Sequence, residues 1–256
     1  MTSELSSLCS YAKGKVSVDT LSKRNYVSTE NMMPNKGGIV DAGALPSAQY
    51  TQQYIKDDIL VSNIRPYFKK IWMADDDGGC SNDVLVFRAD RGCDSTFLYY
   101  ILANDAFFNY ASATSKGTKM PRGDKTAIMQ YKVPCFNYET QLRIGKLLRS
   151  IDDRIAVNKK INDNLQQQAA ALFSSLYDRT NTEVRFTDLI QILGGGTPKT
   201  GENTYWNGNI AFFTPKDVGT PYTLITEKTI TEEGLSHCNS RLYPVNTVFV
   251  TARGTV

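Results

Sequence analysis

The chain has 256 residues, 41% hydrophobic and 21% charged, enough to bury a proper core in one large domain or two smaller ones. No apolar run approaches the roughly 18 residues needed to span a bilayer, and the opening MTSELSSLCSYAKGK lacks the basic-then-apolar order of a secretory signal, so the expected location is the cytoplasm. A net charge of +3 is too small to announce a nucleic-acid binder by itself, and the five scattered cysteines, with no Cys-x-x-Cys pair, read as buried free thiols rather than a zinc or redox motif.

The distribution of charge says more than the total. Basic residues gather at Lys13, Lys15, Lys23 and Arg24, at Arg65, Lys69 and Lys70, and at Lys116, Lys119, Arg122 and Lys125. Any one cluster reads as solvated surface, but three in one half of the chain, offset by Asp75 to Asp77, fit a single basic face.

In chain order, Asp58 to Ser62 and Val84 to Phe87 read as short buried strands, with a turn around Asp77-Gly78-Gly79 between them. A helix follows, capped by Ser95, with Phe97, Tyr100, Ile101, Phe107 and Phe108 on one face and Asn104 interrupting it. A polar loop from Ala113 to Lys125 leads to a short strand at Tyr131 to Val133. The first domain, residues 1–137, is thus expected to be mixed α and β, and the whole chain α+β.

Residues 138–178 are expected to form one long spacer helix. Positions alternating by four and three run Ile144, Leu148, Ile151, Ile155, Asn158, Asn162, Leu165, Ala169, Leu172 and Leu176, a coiled-coil spacing with a seam about 50 Å long. So narrow an apolar stripe requires a partner helix, and Asn158 and Asn162 would fix the register of the pair.

Residues 179–256 are expected to begin a second domain. A short helix at Phe186 to Ile192 should stop at the glycines 194–196, and strands are expected at Ile210 to Phe213 and Val248 to Thr251, with Thr231 capping one helical turn. Ile59-Leu-Val-Ser62 with Arg65 resembles Val248-Phe-Val-Thr251 with Arg253, a weak internal repeat. On that reading the second domain is cut short and a second long helix is missing.

Signs of catalysis are few. The single histidine, His237, excludes a His-rich metal site, and Gly194 to Thr200 lacks the Gly-Lys-Ser/Thr ending of a phosphate loop. Asp75 to Asp77 has no acidic partner at metal-binding spacing and sits beside turn-forming glycines. These features read as packing and turns.

Several segments in one order resemble the specificity subunit of type I restriction-modification systems. They are Leu193-Gly-Gly-Gly-Thr-Pro-Lys199, Tyr205-Trp-Asn-Gly-Asn-Ile210, Thr214-Pro-Lys-Asp217, Ile230-Thr-Glu-Glu-Gly-Leu235 and Val250-Thr-Ala-Arg-Gly-Thr255 in the second domain. In the first they are Gly117-Thr-Lys119, Tyr131-Lys-Val-Pro134 and Glu139-Thr-Gln-Leu142. The resemblance implies a target-recognition domain, a spacer helix, and the start of a second such domain. It implies a non-catalytic subunit that reads half of a split double-stranded DNA target with each domain, the halves separated by at most about 15 base pairs at about 3.4 Å each. It further implies a methyltransferase subunit and a translocating restriction subunit as partners. S-adenosylmethionine, ATP and Mg would belong to those partners and no cofactor to this chain.

Expected DNA contacts are Arg65, Lys69, Lys70, Lys116, Thr118, Lys119, Arg122 and Lys125 in the first domain, and Lys199, Lys216 and Arg253 in the second. Two alternatives stay open. One is a coiled-coil assembly scaffold that does not bind DNA; the other is the recognition part of a fused restriction enzyme.

Overall fold

In the computed structural model, which describes residues 2–179, 183–219 and 222–251, the apolar runs at residues 59–62 and 84–87 lie side by side at the centre of a sheet. The strands before the long helix are β1 (Thr2–Glu4), β2 (Cys9–Tyr11), β3 (Lys15–Ser17), β4 (Tyr26–Val27), β5 (Tyr50–Tyr54), β6 (Ile59–Ser62), β7 (Ile71–Met73), β8 (Gly78–Cys80), β9 (Val84–Ala89) and β10 (Lys132–Pro134). The central sheet has the order β2-β9-β6-β7, all antiparallel, with Leu60 opposite Val86 and Val61 opposite Leu85. A second four-stranded sheet runs β3-β5-β8-β4, and β1 pairs with β10.

Successive strand side chains point to opposite faces, so the central sheet carries two cores. Ile59, Val61, Leu85 and Phe87 face helices α1 (Ser95–Leu102) and α2 (Asp105–Ala113), packing on Leu98, Leu102, Phe107 and Phe108. Leu60, Val84 and Val86 face the second sheet and pack on Tyr54, Cys80 and Val27. Burial on both faces explains why these strands read as unbroken apolar runs. Each large side chain buried here contributes roughly 1.5–3 kcal/mol.

Three local expectations change. The helix after residue 95 is two helices, because Asn104 leaves the helical conformation and its side chain accepts from Ala106 N, capping α2. Its first cap is Asp94, accepting from Phe97 N, rather than Ser95. Gly78 and Gly79 are strand residues, not a turn. A Cβ on Gly79 would come within 3 Å of Leu21 Cδ1, Thr51 Cγ2 and Val16 Cγ1, at 2.6, 2.7 and 2.9 Å, so close packing and not chain reversal demands the glycine. The polar loop ends in a further helix, α3 (Lys125–Met129), capped by Asp124.

The long helix α4 (Tyr138–Tyr177) has 40 residues and is about 60 Å long. The boundary between two compact units of the chain, Met1–Leu172 and Phe173–Val256, falls within it. The first turns of α4 dock on α1 by a polar face. Gln141 is buried, its Oε1 accepting from Asp94 N at 3.1 Å and its Nε2 donating to Phe136 O at 2.9 Å. Gly145 lies where a Cβ would meet Asp94 Oδ1 at 2.8 Å and Phe97 N at 3.2 Å. Two turns on, Asp152 accepts from the Tyr100 hydroxyl at 2.7 Å.

By 3.6 residues per turn, Gly145 and Asp152 lie roughly 60–100° around the helix from the seam residues on either side of them, while Gln141, three residues before Ile144, falls in step with the seam. The docking face therefore borders the seam, meeting it in the first turns of α4 and leaving it uncovered from Ile151 onward. Ile144 and Leu148 are half-buried, but Ile151 and Ile155 are 47% and 48% exposed, and Leu165, Leu172 and Leu176 are 55–62% exposed. Asn158, Asn162 and Ala169 are exposed on the same stripe.

In the second unit, α5 (Phe186–Leu189) is shorter than expected, and β11 (Trp206–Phe212) pairs antiparallel with β12 (Lys228–Ile230). Thr231 caps α6 (Glu232–Ser236), its side chain accepting from Gly234 N at 3.0 Å. The glycines 194–196 are held by side chains from further along: Ser240 Oγ accepts from Gly196 N at 2.9 Å and donates to Gly196 O at 2.8 Å, and Tyr243 donates to Gly194 O at 2.9 Å. Residues 248–251, expected as a strand, have no strand pairing, so the proposed match to β6 is one of sequence only. Of the cysteines, Cys9 and Cys80 are buried, Cys93 and Cys238 half-buried, and Cys135 exposed, which departs from the expectation of buried thiols. Burial pushes the Cys80 thiol up to about 12. No helix of the described residues is long and apolar enough to cross a membrane.

Candidate nucleic-acid interface

The polar loop between α2 and α3 closes on itself. Lys116 N donates to Arg122 O and Arg122 N to Lys116 O, both at 2.9 Å, so residues 117–121 project as a tip. Gly117 adopts φ +96°, a conformation that favours glycine, and Thr118, Lys119 and Met120 are exposed beyond it. Arg65 N donates to Pro121 O at 2.8 Å and Gly123 N to Asn63 O at 3.1 Å. These bonds fix the loop to the end of β6. Gly123 is itself tightly enclosed: a Cβ there would meet Ile128 Cδ1 at 2.8 Å and Asn63 Oδ1 at 2.9 Å.

The expected cations differ in what they already hold. Lys69 Nζ pairs with Asp105 Oδ2 at 3.0 Å beside Lys36 on Oδ1 at 2.8 Å, and Lys70 donates to Thr29 O at 2.7 Å. Both lysines thus already hold a partner within the first unit. Hydrogen bonds from Lys36 and Lys69 hold the Asp105 carboxyl below its usual range. Lys116 pairs with Asp124, and that bond, with the backbone amides of α3, lowers the Asp124 carboxyl. Arg122 pairs with Asp83 at 3.0 Å.

The remaining cations have no acidic partner among the described residues. Lys119 stands at the exposed loop tip. Lys125 has only the Tyr11 ring beneath it, at 6.0 Å. Arg65 is held at φ +50°, ψ +64°, which costs a non-glycine residue about 1 kcal/mol or more, and its Nε is buried without an acceptor. Arg65 thus stands half-buried and without an ion pair at the foot of a cationic loop. In the second unit Lys199 is exposed with no side-chain partner among the described residues, and Lys216 pairs loosely with Glu227 at 3.5 Å. The Thr214–Asp217 turn around Lys216 is closed by Asp217, which accepts from Thr214 N at 2.8 Å and Glu227 N at 2.7 Å. Arg253 lies outside the described residues.

Sequence reading left one feature of this surface unassigned. Beside the loop, a cleft of about 370 Å³ opens between the two sheets, lined by Lys13, Lys15, Gln52, Asn82 and Lys125 among others. Lys13 and Lys15 had a signal in the first charge cluster, and Lys125 in the third as an expected DNA contact; the amides had none. Among the described residues no group of three or more His, Cys, Asp or Glu side chains is placed to hold a metal ion.

A sheet-and-helix domain carrying a basic loop and joined to a 40-residue helix defines a class. The family model for the type I restriction modification DNA specificity domain matches residues 1–167, and the chain belongs to that family. The MjaIX type I restriction enzyme specificity subunit of Methanocaldococcus jannaschii is 35% identical over 75 residues, covering 28% of this chain and 17% of that protein. The EcoR124I/EcoR124II specificity subunit of Escherichia coli is 29% identical over 133 residues, 48% of this chain and 33% of that protein. The solved HsdS subunit from Thermoanaerobacter tengcongensis superposes with a TM-score of 0.51 over 86% of this chain and 62% of that one, at 17% identity, a likeness of fold. The chain thus spans a third or less of the curated relatives it matches and under two thirds of the solved subunit.

Proposed function

We propose that this chain recognises one part of a split double-stranded DNA target and delivers partner enzymes to it, without catalysing a reaction itself. The observation that carries this reading is the closed loop 116–122 with Lys119 at its tip, fixed to an arginine at Arg65 that has no acceptor for its buried Nε. Lysine and arginine side chains supply phosphate contacts, and Thr118 with the open backbone at Gly117 allows close approach to a strand. Lys199 and Lys216 would extend the contacts in the second unit, while Lys69, Lys70 and the ion-paired Lys116 contribute by holding the surface in shape. Family membership supports the same reading.

The partners on this reading are a methyltransferase subunit and a restriction subunit, which would hold S-adenosylmethionine, ATP and Mg. The exposed seam of α4, with apolar residues on a stripe its own domain leaves uncovered, supports pairing with a second spacer-type helix. A scaffold without DNA contacts would not need an unpaired cationic tip. Co-expression with a type I methyltransferase subunit, followed by mapping of methylated adenines and cytosines, tests the proposal: a methylated split motif supports it, and no sequence-specific methylation counts against it.

A further inference from the structure

The cleft lies between the two sheets, with Tyr11 and residues 84–86 on one side and Lys15, Tyr50 and Gln52 on the other. Gln52 on β5 stands opposite Lys15 on β3 and opposite Cys80 on β8, so these three side chains share one face of the second sheet. On that face Tyr54 and Cys80 close the core against Val84 and Val86, and the cleft opens beside them. Polar groups take over where the apolar contact ends. Lys13, Lys15 and Lys125 rim the cleft, Gln52 and Asn82 line it, and Tyr50 stands 54% exposed at its edge.

Several amides in this unit are committed to the fold. Asn31 donates to Tyr26 O and Val40 O, Asn104 caps a helix, and Gln141 joins α4 to α1. The side chains of Gln52 and Asn82 make no hydrogen bond to the chain among the described residues, and Lys13, Lys15 and Lys125 form no ion pair there. The cleft is also continuous with the loop surface. Lys125 begins α3 directly after the loop, and Asn82 precedes Asp83, the ion-pair partner of Arg122.

We propose that this cleft is a base-reading subsite for duplex DNA, with Gln52 and Asn82 reading base edges and Lys13, Lys15 and Lys125 holding the flanking phosphates. An amide side chain matches adenine in the major groove, accepting from N6–H and donating to N7, so adenine is the base read. The inference rests on the DNA-recognition reading above and adds to it the residues that decide sequence.

The test is selection of a random duplex pool by the 256-residue chain, with salt-dependent affinities measured for the wild type, Gln52→Ala, Asn82→Ala and the double variant Lys13→Ala/Lys15→Ala. All four positions are exposed or half-buried side chains outside the core, and matching thermal melts check folding. The amide variants are expected to lose the preference for adenine at one or two positions of the selected motif, by about tenfold each, while keeping the salt slope. The lysine variant is expected to weaken binding to every sequence and to reduce the salt slope by roughly two. An unchanged motif in both amide variants overturns the base-reading role, and an unchanged slope in the lysine variant overturns the phosphate contacts. A wild-type chain with no salt-dependent DNA binding overturns the underlying reading instead.

Discussion

Tyr100 on α1 donates its hydroxyl hydrogen to Asp152 on α4 at 2.7 Å, and this bond ties the long helix to its domain on a face roughly 60–100° around from the seam residues Ile151 and Ile155. Burial, followed by the hydrogen bond and charge of Asp152, pushes the Tyr100 hydroxyl above its ordinary range. The folded state therefore keeps this proton after the unfolded phenol, near pH 10, has released its own. The stabilisation is full below about pH 10 and is lost as pH rises through the higher folded value. Tyr100→Phe should lower the melting temperature at pH 8 and show less additional loss between about pH 10 and 11 than wild type; parallel melting curves across that range would contradict the assignment.

Gly145 sits against the first turn of α1, where a side chain has no room. Replacing glycine by alanine inside an exposed helix ordinarily stabilises by about 1 kcal/mol. Here Gly145→Ala should give no gain, and Gly145→Val should destabilise by about 1–3 kcal/mol in urea unfolding. A stabilised Gly145→Ala would mean that α4 does not dock on α1 at this point.

Asp58 is buried at the start of β6, its carboxylate gripped by Arg88 through Nε at 2.8 Å and Nη2 at 2.7 Å. Arg88→Met leaves that carboxylate buried with only the Ile55 amide. The expected cost is about 3 kcal/mol, the low end for a broken buried pair because Arg88 is itself partly exposed. Equilibrium denaturation reads it directly, and a loss under about 1 kcal/mol would show that water reaches Asp58.

What could be read from the sequence was what short-range pattern determines. The helix through residues 138–177 declared itself because heptad spacing is local, and the apolar runs at β6 and β9 because both their faces are covered. The strands β1 to β5 left no comparable trace: Thr2–Glu4 and Lys15–Ser17 are three residues long, polar and at sheet edges. Gly78 and Gly79 resembled a turn because the neighbours that forbid a side chain there, such as Leu21 and Thr51, come from distant parts of the chain. The charge clusters marked the candidate site only coarsely. Lys69 and Lys119 look alike in sequence, and only the fold brings Asp105 to the first while leaving the second exposed.

The seam of α4 predicts self-association or pairing in solution. Ile151, Ile155 and Leu165 are half exposed or more on one stripe. Sedimentation at micromolar concentration should detect a dimer of the chain that Ile151→Asp/Leu165→Asp converts to monomer without loss of the first unit's melting transition. A wild-type chain that stays monomeric at high concentration would count against the seam as a pairing surface.

The most direct measurement of DNA recognition is the affinity of the chain for duplex DNA as a function of salt, for wild type and for Lys119→Ala. Phosphate contacts release counterions, so log affinity should fall linearly with log salt, and removing one contact should make the slope shallower by about 0.9. The expected result is weaker binding and a shallower slope for Lys119→Ala. A wild-type chain whose affinity for DNA is negligible or independent of salt would contradict the account.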